Sequence, residues 1–236
     1  MRKPVNKTKV KSIFILQHDK ESYIEPFLNF IASKNIVSSR LLLTKKTNLG
    51  NFDSLNEASA LILIDQPKDP SIQQKSEEHI KFFFQQEKPI LGLGDVSYLC
   101  FKALKIKVDY GERLYGWKRV FTTANPMLSK ITLQFPQKIL ILGNRFFSSE
   151  VDSHTYFLRI LNQNFPIVIK YRSLSILNYT NCISAKQLLE VSNKLKYTPS
   201  PLRQTKEELI HQSPELIYQQ NQFSEKIWND WCKQLI

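Results

Sequence analysis

The feature that most constrains the fold is an alternation along the first hundred residues. Ser12–Gln17 (S-I-F-I-L-Q), Ile36–Leu43, Ala58–Ile64 and Pro89–Leu93 are short apolar runs without helical period, the signature of buried strands. Between them, Ser22–Ser33 sets Ile24, Phe27, Leu28 and Ile31 on one helical face, with Pro26 close enough to the first turn to be tolerated. Ser71–Glu87 turns Ile80, Phe83 and Phe84 inward, and Leu99, Ala103 and Leu104 mark a helix after the fourth strand. Asn48–Asn56 is polar and turn-rich, and Pro67 and Pro70 stop the third strand. Strands separated by helices pair in parallel, with the helices covering both faces of the sheet.

The pattern changes past residue 113. Leu114–Thr122, Lys130–Gln134, Lys138–Leu142, Tyr156–Leu161, Pro166–Tyr171 and Ser175–Tyr179 are strand-like runs separated by turns, which predicts antiparallel hairpins. Helical periodicity returns at Ser184–Leu195, breaks over Tyr197–Pro201, and resumes at Gln204–Gln212 and Pro214–Ile236. The expected fold is a three-layer, flavodoxin-like α/β domain. Its sheet is mostly parallel, has helices on both faces, and is extended by antiparallel strands in the second half. With no repeat and no long linker, residues 1–236 are expected to form one domain, with a basic arm at 1–11 and a C-terminal helical extension at 203–236.

Composition excludes several classes. Cys100, Cys182 and Cys232 lie far apart without a CxxC, and His18, His79, His154 and His211 show no HxxxH, so no disulfide framework, metal site or cofactor is expected. Ile13–Leu16 is too short for a signal core or a membrane span, which points to a soluble protein of the reducing cytoplasm. The net charge of +12 comes from 25 Lys and 8 Arg spread along the chain. Scattered lysine attracts polyanions without reading sequence, whereas base recognition leans on arginine, so a solvated surface is favoured over a nucleic-acid site. The local excess at Arg2, Lys3, Lys7, Lys9 and Lys11 is the alternative seat of polyanion binding.

Glycine is scarce, six in 236, and two of the six stand in Gly92-Leu93-Gly94-Asp95-Val96-Ser97, between an apolar strand and a helix. A dinucleotide loop is one interpretation. Ser97, however, replaces its third glycine, the strand is the fourth rather than the first, and Glu112, 20 residues on, falls in a turn-like stretch. A tight turn without chemistry is another. The third is a nucleophile elbow, G-x-Nuc-x-G, in which a strand-to-helix turn presents a side chain above the sheet.

Five segments, in order, carry a resemblance. Leu16-Gln17-His18-Asp19 looks like an opening strand that ends in Gln-His-Asp, and Ala60-Leu61-Ile62-Leu63-Ile64-Asp65-Gln66-Pro67 like one that runs into Gly-Gly-Pro. Lys88 to Leu99 is similar to a Pro-x-Leu-Gly-x-Cys-x-Gly-x-Gln-x-Leu elbow, and Tyr115-Gly116-Trp117 to a downstream Ile-Gly-Trp. Ser175 to Cys182 falls where Gly-x-Gln-Phe-His-Pro-Glu is expected. Over about residues 12–195 the chain thus resembles the class I glutamine amidotransferases, in particular the stand-alone proteins related to the glutaminase domain of GMP synthetase.

The departures decide what the resemblance implies. The family's nucleophile position is Gly94, its histidine position Thr180 and its glutamate position Cys182. The glycine pair of the oxyanion turn is Asp65 and Gln66, the elbow's second glycine is Val96, and the glutamine after it is Tyr98. Glycine forms no thioester, threonine takes no thiol proton near neutral pH, and a carboxylate repels an oxyanion. The implied protein is a pseudo-glutaminase that binds a small ligand or a protein partner. Its crevice is drawn from His18, Asp19, Asp65, Gln66, Asp95, Val96 and Tyr98, and the acids favour an amino-acid-like or amine ligand. The enzymatic alternative is a hydrolase or amidotransferase built around Cys182 and Asp65. Cys100, beside Leu99, reads as a small core residue. Phe223, Ile227 and Trp231 at i, i+4, i+8, with Trp228 and Leu235 beside them, form a stripe that packs on its own domain or serves as a partner or homodimer face.

Overall fold

The structure, a computed structural model, describes residues 12–18, 24–42, 57–109, 113–122, 138–144, 148, 150–151, 156–160, 163–181, 183–194, 203–211 and 213–235. The basic arm, the 48–56 loop, Asp19, Lys130–Gln134, Cys182 and the 197–201 break lie outside the described residues.

Among the described residues, ten strands make two sheets. β1 (Ser12–Gln17), β2 (Val37–Leu42), β3 (Ala60–Ile64), β4 (Ile90–Leu93), β9 (Val168–Tyr171) and β10 (Leu174–Leu177) form the first, in the order β2-β1-β3-β4-β10-β9. Every neighbour pair in it is parallel except β10 with β9. The doubly wound order 2-1-3-4-5 is reproduced with β10 in fifth place. β5 (Arg113–Thr122), β6 (Lys138–Asn144), β7 (Tyr156–Ile160) and β8 (Gln163–Pro166) form a second, wholly antiparallel sheet, β6-β5-β7-β8. This refines the sequence expectation: of the antiparallel strands only β9 extends the parallel sheet, and the others have one of their own. The run expected as one strand over Pro166–Tyr171 divides at Ile167, whose carbonyl accepts from the Asn178 N–H. Pro166, lacking an N–H, sits at the end of β8, where a strand tolerates it.

The alternation within β1 separates two layers. Ile13 and Ile15 join Ala60, Ile62, Leu91 and Leu93 in a core under α1 (Glu25–Ser33) and α6 (Ser213–Cys232). Phe14 and Leu16 join Leu61, Leu63, Ile90 and Ile176 under α2 (Pro70–Gln85) and α3 (Ser97–Ala103). The C-terminal stripe is spent on the first of these cores: Phe223, Ile227, Trp228, Trp231 and Leu235 are all buried, with Trp228 edge-on to Phe27 at 5.0 Å. The second sheet contributes Leu114, Ile139 and Ile141 to that same core. Its Trp117 packs with Leu140, Ile183, Leu188, Leu209 and Ile217 beneath α4 (Ala185–Lys194) and α5 (Lys206–His211).

Helix ends are set by local chemistry. Asp69 caps α2 by accepting from the Ser71 N–H at 2.9 Å, with Pro70 in the first turn. Helices α1, α2 and α3 all close in Schellman turns, whose paired bonds include Ile36 N–H to the Ile31 carbonyl, Lys88 to Phe83 and Ile106 to Phe101. The left-handed residue that such a turn requires is Asn35, Glu87 and Lys105 in turn, at φ 55°, 53° and 57°. None is glycine. At Gly116 (φ 124°), by contrast, the Gln204 side chain lies against the backbone and accepts from the Trp117 N–H at 2.6 Å, so there is no room for a side chain.

Candidate functional site at the carboxyl edge of the sheet

Register brings the site residues together. Gln17 pairs with Ile64, Ile64 with Leu93, and Leu93 with Leu177, so four parallel strands end level. The ladder runs one residue further: His18 N–H donates to Ile64, Asp65 N–H to Leu93 and Gly94 N–H to Leu177. His18, Asp65 and Gly94 therefore leave the sheet in one row at its carboxyl edge, where open α/β sheets place their ligands.

Gly94 turns with φ 84° and Asp65 with φ 60°. A Cβ at Gly94 would lie 3.1 Å from Asp65 Oδ1, so the Asp65 carboxylate fills the space beside the elbow into which a side chain would start. The Gln66 N–H donates to Asp95 Oδ1 at 3.1 Å. The second position of the turn thus has its backbone donor engaged by the residue that follows Gly94. Val96 is fully buried, and a Cβ at Gly92 would come to 2.5 Å from its Cγ2; the absent side chain at 92 makes room for the valine. Tyr98 is half-buried in the first turn of α3.

His18 does structural work at this edge. Nδ1 donates to the Asp65 carbonyl at 2.6 Å and lies 3.1 Å from the Ile64 carbonyl, while Nε2 accepts from Ser76 Oγ at 2.8 Å. With carbonyls facing Nδ1, that nitrogen is the one that carries hydrogen in the neutral ring, and it pins the left-handed Asp65 turn. Burial is the largest influence and pushes the imidazole below its ordinary 6.5; the two carbonyls and the Asp95 charge act the other way. The unfolded chain therefore takes up the proton first as pH falls. This contribution is complete above about pH 6.5 and is lost as pH drops from there through the folded-state value. Titration of the His18 ring by NMR is expected to give a midpoint below 6.5, with unfolding midpoints in denaturant falling over the same interval. A midpoint at or above 6.5 would contradict the buried neutral ring.

Thr180 Oγ1 accepts from the Leu142 N–H at 2.9 Å, its N–H donates to Leu140, and its carbonyl accepts from Gln220, so this residue ties β10 to the second sheet. Cys100 is wholly buried, and burial pushes its thiol up to about 12, so it carries no thiolate near neutrality. Asp19 and Cys182 are outside the described residues. Two residues that sequence reasoning missed belong to the edge. Asn181 Nδ2 donates to Leu177 and Tyr179 carbonyls, sharing the Leu177 oxygen with the Gly94 N–H. Ser76, fully buried, is the partner of His18. Its signal was a serine on the same α2 stripe as Ile72 and Ile80, a polar group on an apolar face that needs a partner. Among the described residues no group of three or more His, Cys, Asp or Glu is placed to hold a metal ion, and no helix is long and apolar enough to cross a membrane.

A parallel sheet in this order, an elbow after β4 and a second antiparallel sheet together make the fold of the glutamine amidotransferases. A solved glutamine amidotransferase from Methylobacillus flagellatus superposes with a TM-score of 0.78 at 17% identity, covering 97% of this chain and 96% of that one. A glutamine amidotransferase from Thermotoga maritima gives 0.65 at 15% identity, covering 96% of each. A putative GMP synthase component from Thermoplasma acidophilum gives 0.50 at 9%, over 95% and 98%. At these identities the likeness is one of fold. No family model and no curated protein matches the chain.

Proposed function

We propose that this protein has given up glutamine hydrolysis and acts by binding a small amine or cation at the carboxyl edge of its sheet. The observation that carries this is the double use of carboxylates at the elbow. Asp65 stands beside a Gly94 that has no nucleophile, and Asp95 takes the Gln66 N–H. Hydrolysis by the family's route needs a thiol, a base and free N–H donors aimed at the developing oxyanion. Here a donor is satisfied internally, and negative charge replaces the attraction an oxyanion would need. The same carboxylates suit an ammonium group or another small cation instead.

Thermal shift tests this. Simple amines, lysine and divalent cations are expected to raise Tm, and Asp65→Asn to remove the effect. At 100 times Kd, binding adds about 2.7 kcal/mol, or roughly 5–10 °C for a chain of this size. No shift with any of these ligands, or an equal shift in Asp65→Asn, would overturn the proposal.

A further inference from the structure

We infer that the outer face of the second sheet, at its Arg119–Phe121 end, is a binding platform for single-stranded nucleic acid. The inference does not rest on the function proposed for the carboxyl edge.

The four strands β5 to β8 contain Arg113, Lys118, Arg119, Lys138 and Arg159 and no Asp or Glu. Side chains alternate along β5, so Trp117, Arg119 and Phe121 share one face, while Val120 packs on the core that holds Ile139 and Phe165. Helices α4 and α5 cover the outer face at Trp117, whose indole N–H donates to the Leu209 carbonyl at 3.1 Å. Two residues further on the face is open: Arg119 is exposed, and Phe121 is 37% exposed. Register sets two rows across the strands there. Arg119 stands directly opposite Lys138 of β6, and Phe121 directly opposite Phe157 of β7. The pairing of Val120 with Leu158 brings the backbone of Arg159 to the other side of Arg119. Like charges directly opposed in an antiparallel pair are destabilising. Among the described residues no carboxylate pairs with Arg119, whose guanidinium stands over the Phe121 ring, 5.7 Å from its centroid. A cationic row in a sheet without acids, beside exposed aromatic surface, is relieved by an anion that also carries a flat apolar face.

That pairing selects the class of ligand. A polyphosphate needs the cations alone, and an apolar partner needs the rings alone. A nucleotide uses both: its base stacks on a ring or a guanidinium plane, and its phosphate takes a cation. A duplex keeps its bases stacked on one another, out of reach of rings on a sheet, so a single strand is specified. The net charge of +12 draws polyanions from a distance. Along the sequence these cations are scattered, and it is the strand register that gathers them on one face.

The test is fluorescence anisotropy of the full chain with fluorescein-labelled oligouridylate and oligothymidylate, titrated over a series of KCl concentrations. Saturable binding of one or both is the expected result, the tighter of the two naming the preferred sugar. Phe121→Leu keeps the apolar surface but not the ring and is expected to weaken binding about tenfold, whereas Phe121→Tyr retains it. Arg119→Gln is expected to reduce the slope of log Kd against log salt by about 0.7. Both positions are exposed, so the variants keep the fold. Residues 1–11 contain no aromatic ring, so the Phe121 effect separates this face from the basic arm. No saturable binding of either oligonucleotide would overturn the inference. So would equal affinity in wild type and Phe121→Leu, or displacement by polyphosphate as complete as by unlabelled oligonucleotide. Either of those would leave a general attraction between a basic protein and a polyanion.

Discussion

Gly94→Cys is expected to leave ammonia release from glutamine at background, and Gly94→Cys with Thr180→His to do no better. A thiol placed at the elbow supplies one part of a unit whose members act together, and loss of a nucleophile alone costs about 10⁶ in rate in a comparable hydrolase. The new Cβ would start 3.1 Å from Asp65 Oδ1, and an adjacent carboxylate disfavours the thiolate that must attack. The Gln66 N–H would still be held by Asp95. Thr180 now accepts the Leu142 N–H, so histidine there exchanges a backbone tie for a ring with no carboxylate shown to orient it. Each variant also carries a side chain at φ 84°, a cost of about 1–2 kcal/mol, so retention of fold is checked by circular dichroism before assay. Glutamine hydrolysis well above controls in the single variant would show that the oxyanion side of the elbow is intact, contrary to the geometry.

Trp231→Ala is expected to cost about 3–5 kcal/mol and to lower Tm by roughly 6–20 °C. Its side chain is 2% exposed and lies in the core that joins the first sheet, α1 and α6. Removing it opens a cavity where the C-terminal helix meets the sheet. Its indole N–H has no partner among the described residues, so Trp231→Phe deletes an unsatisfied donor along with some volume, and its loss should be well below that of alanine. On the opposite side of the same helix Tyr218 is 60% exposed, and Tyr218→Ala is expected to stay within about 0.5 kcal/mol. Denaturant unfolding of the three variants separates these cases. Equal stability of wild type and Trp231→Ala would mean that the helix does not hold the core.

What the sequence made legible was whatever depends on local periodicity. The odd and even residues of β1 face the two cores as the alternation requires, and Phe27 and Ile31 are buried where a helical stripe predicted them. The elbow was visible because two of six glycines stand between an apolar run and a helix. Less was visible wherever the outcome depends on register between distant segments. That His18, Asp65 and Gly94 emerge level follows from three strand pairings, and no local pattern encodes them. The bond from Gln66 to Asp95 spans 29 residues and joins two turns. The separate sheet of β5 to β8 was missed for the same reason: hairpin runs announce antiparallel pairing but not which edge receives them.

The three Schellman turns closed by Asn35, Glu87 and Lys105 bear on the denatured ensemble as much as on the native state. A side chain in the left-handed region strains the folded helix end, yet the same side chain restricts the backbone of the disordered chain. Glycine at those positions would relieve the first effect and enlarge the entropy lost through the second. A chain with six glycines in 236 residues therefore begins folding from a comparatively stiff starting population, and its helix ends sit close to a balance between the two.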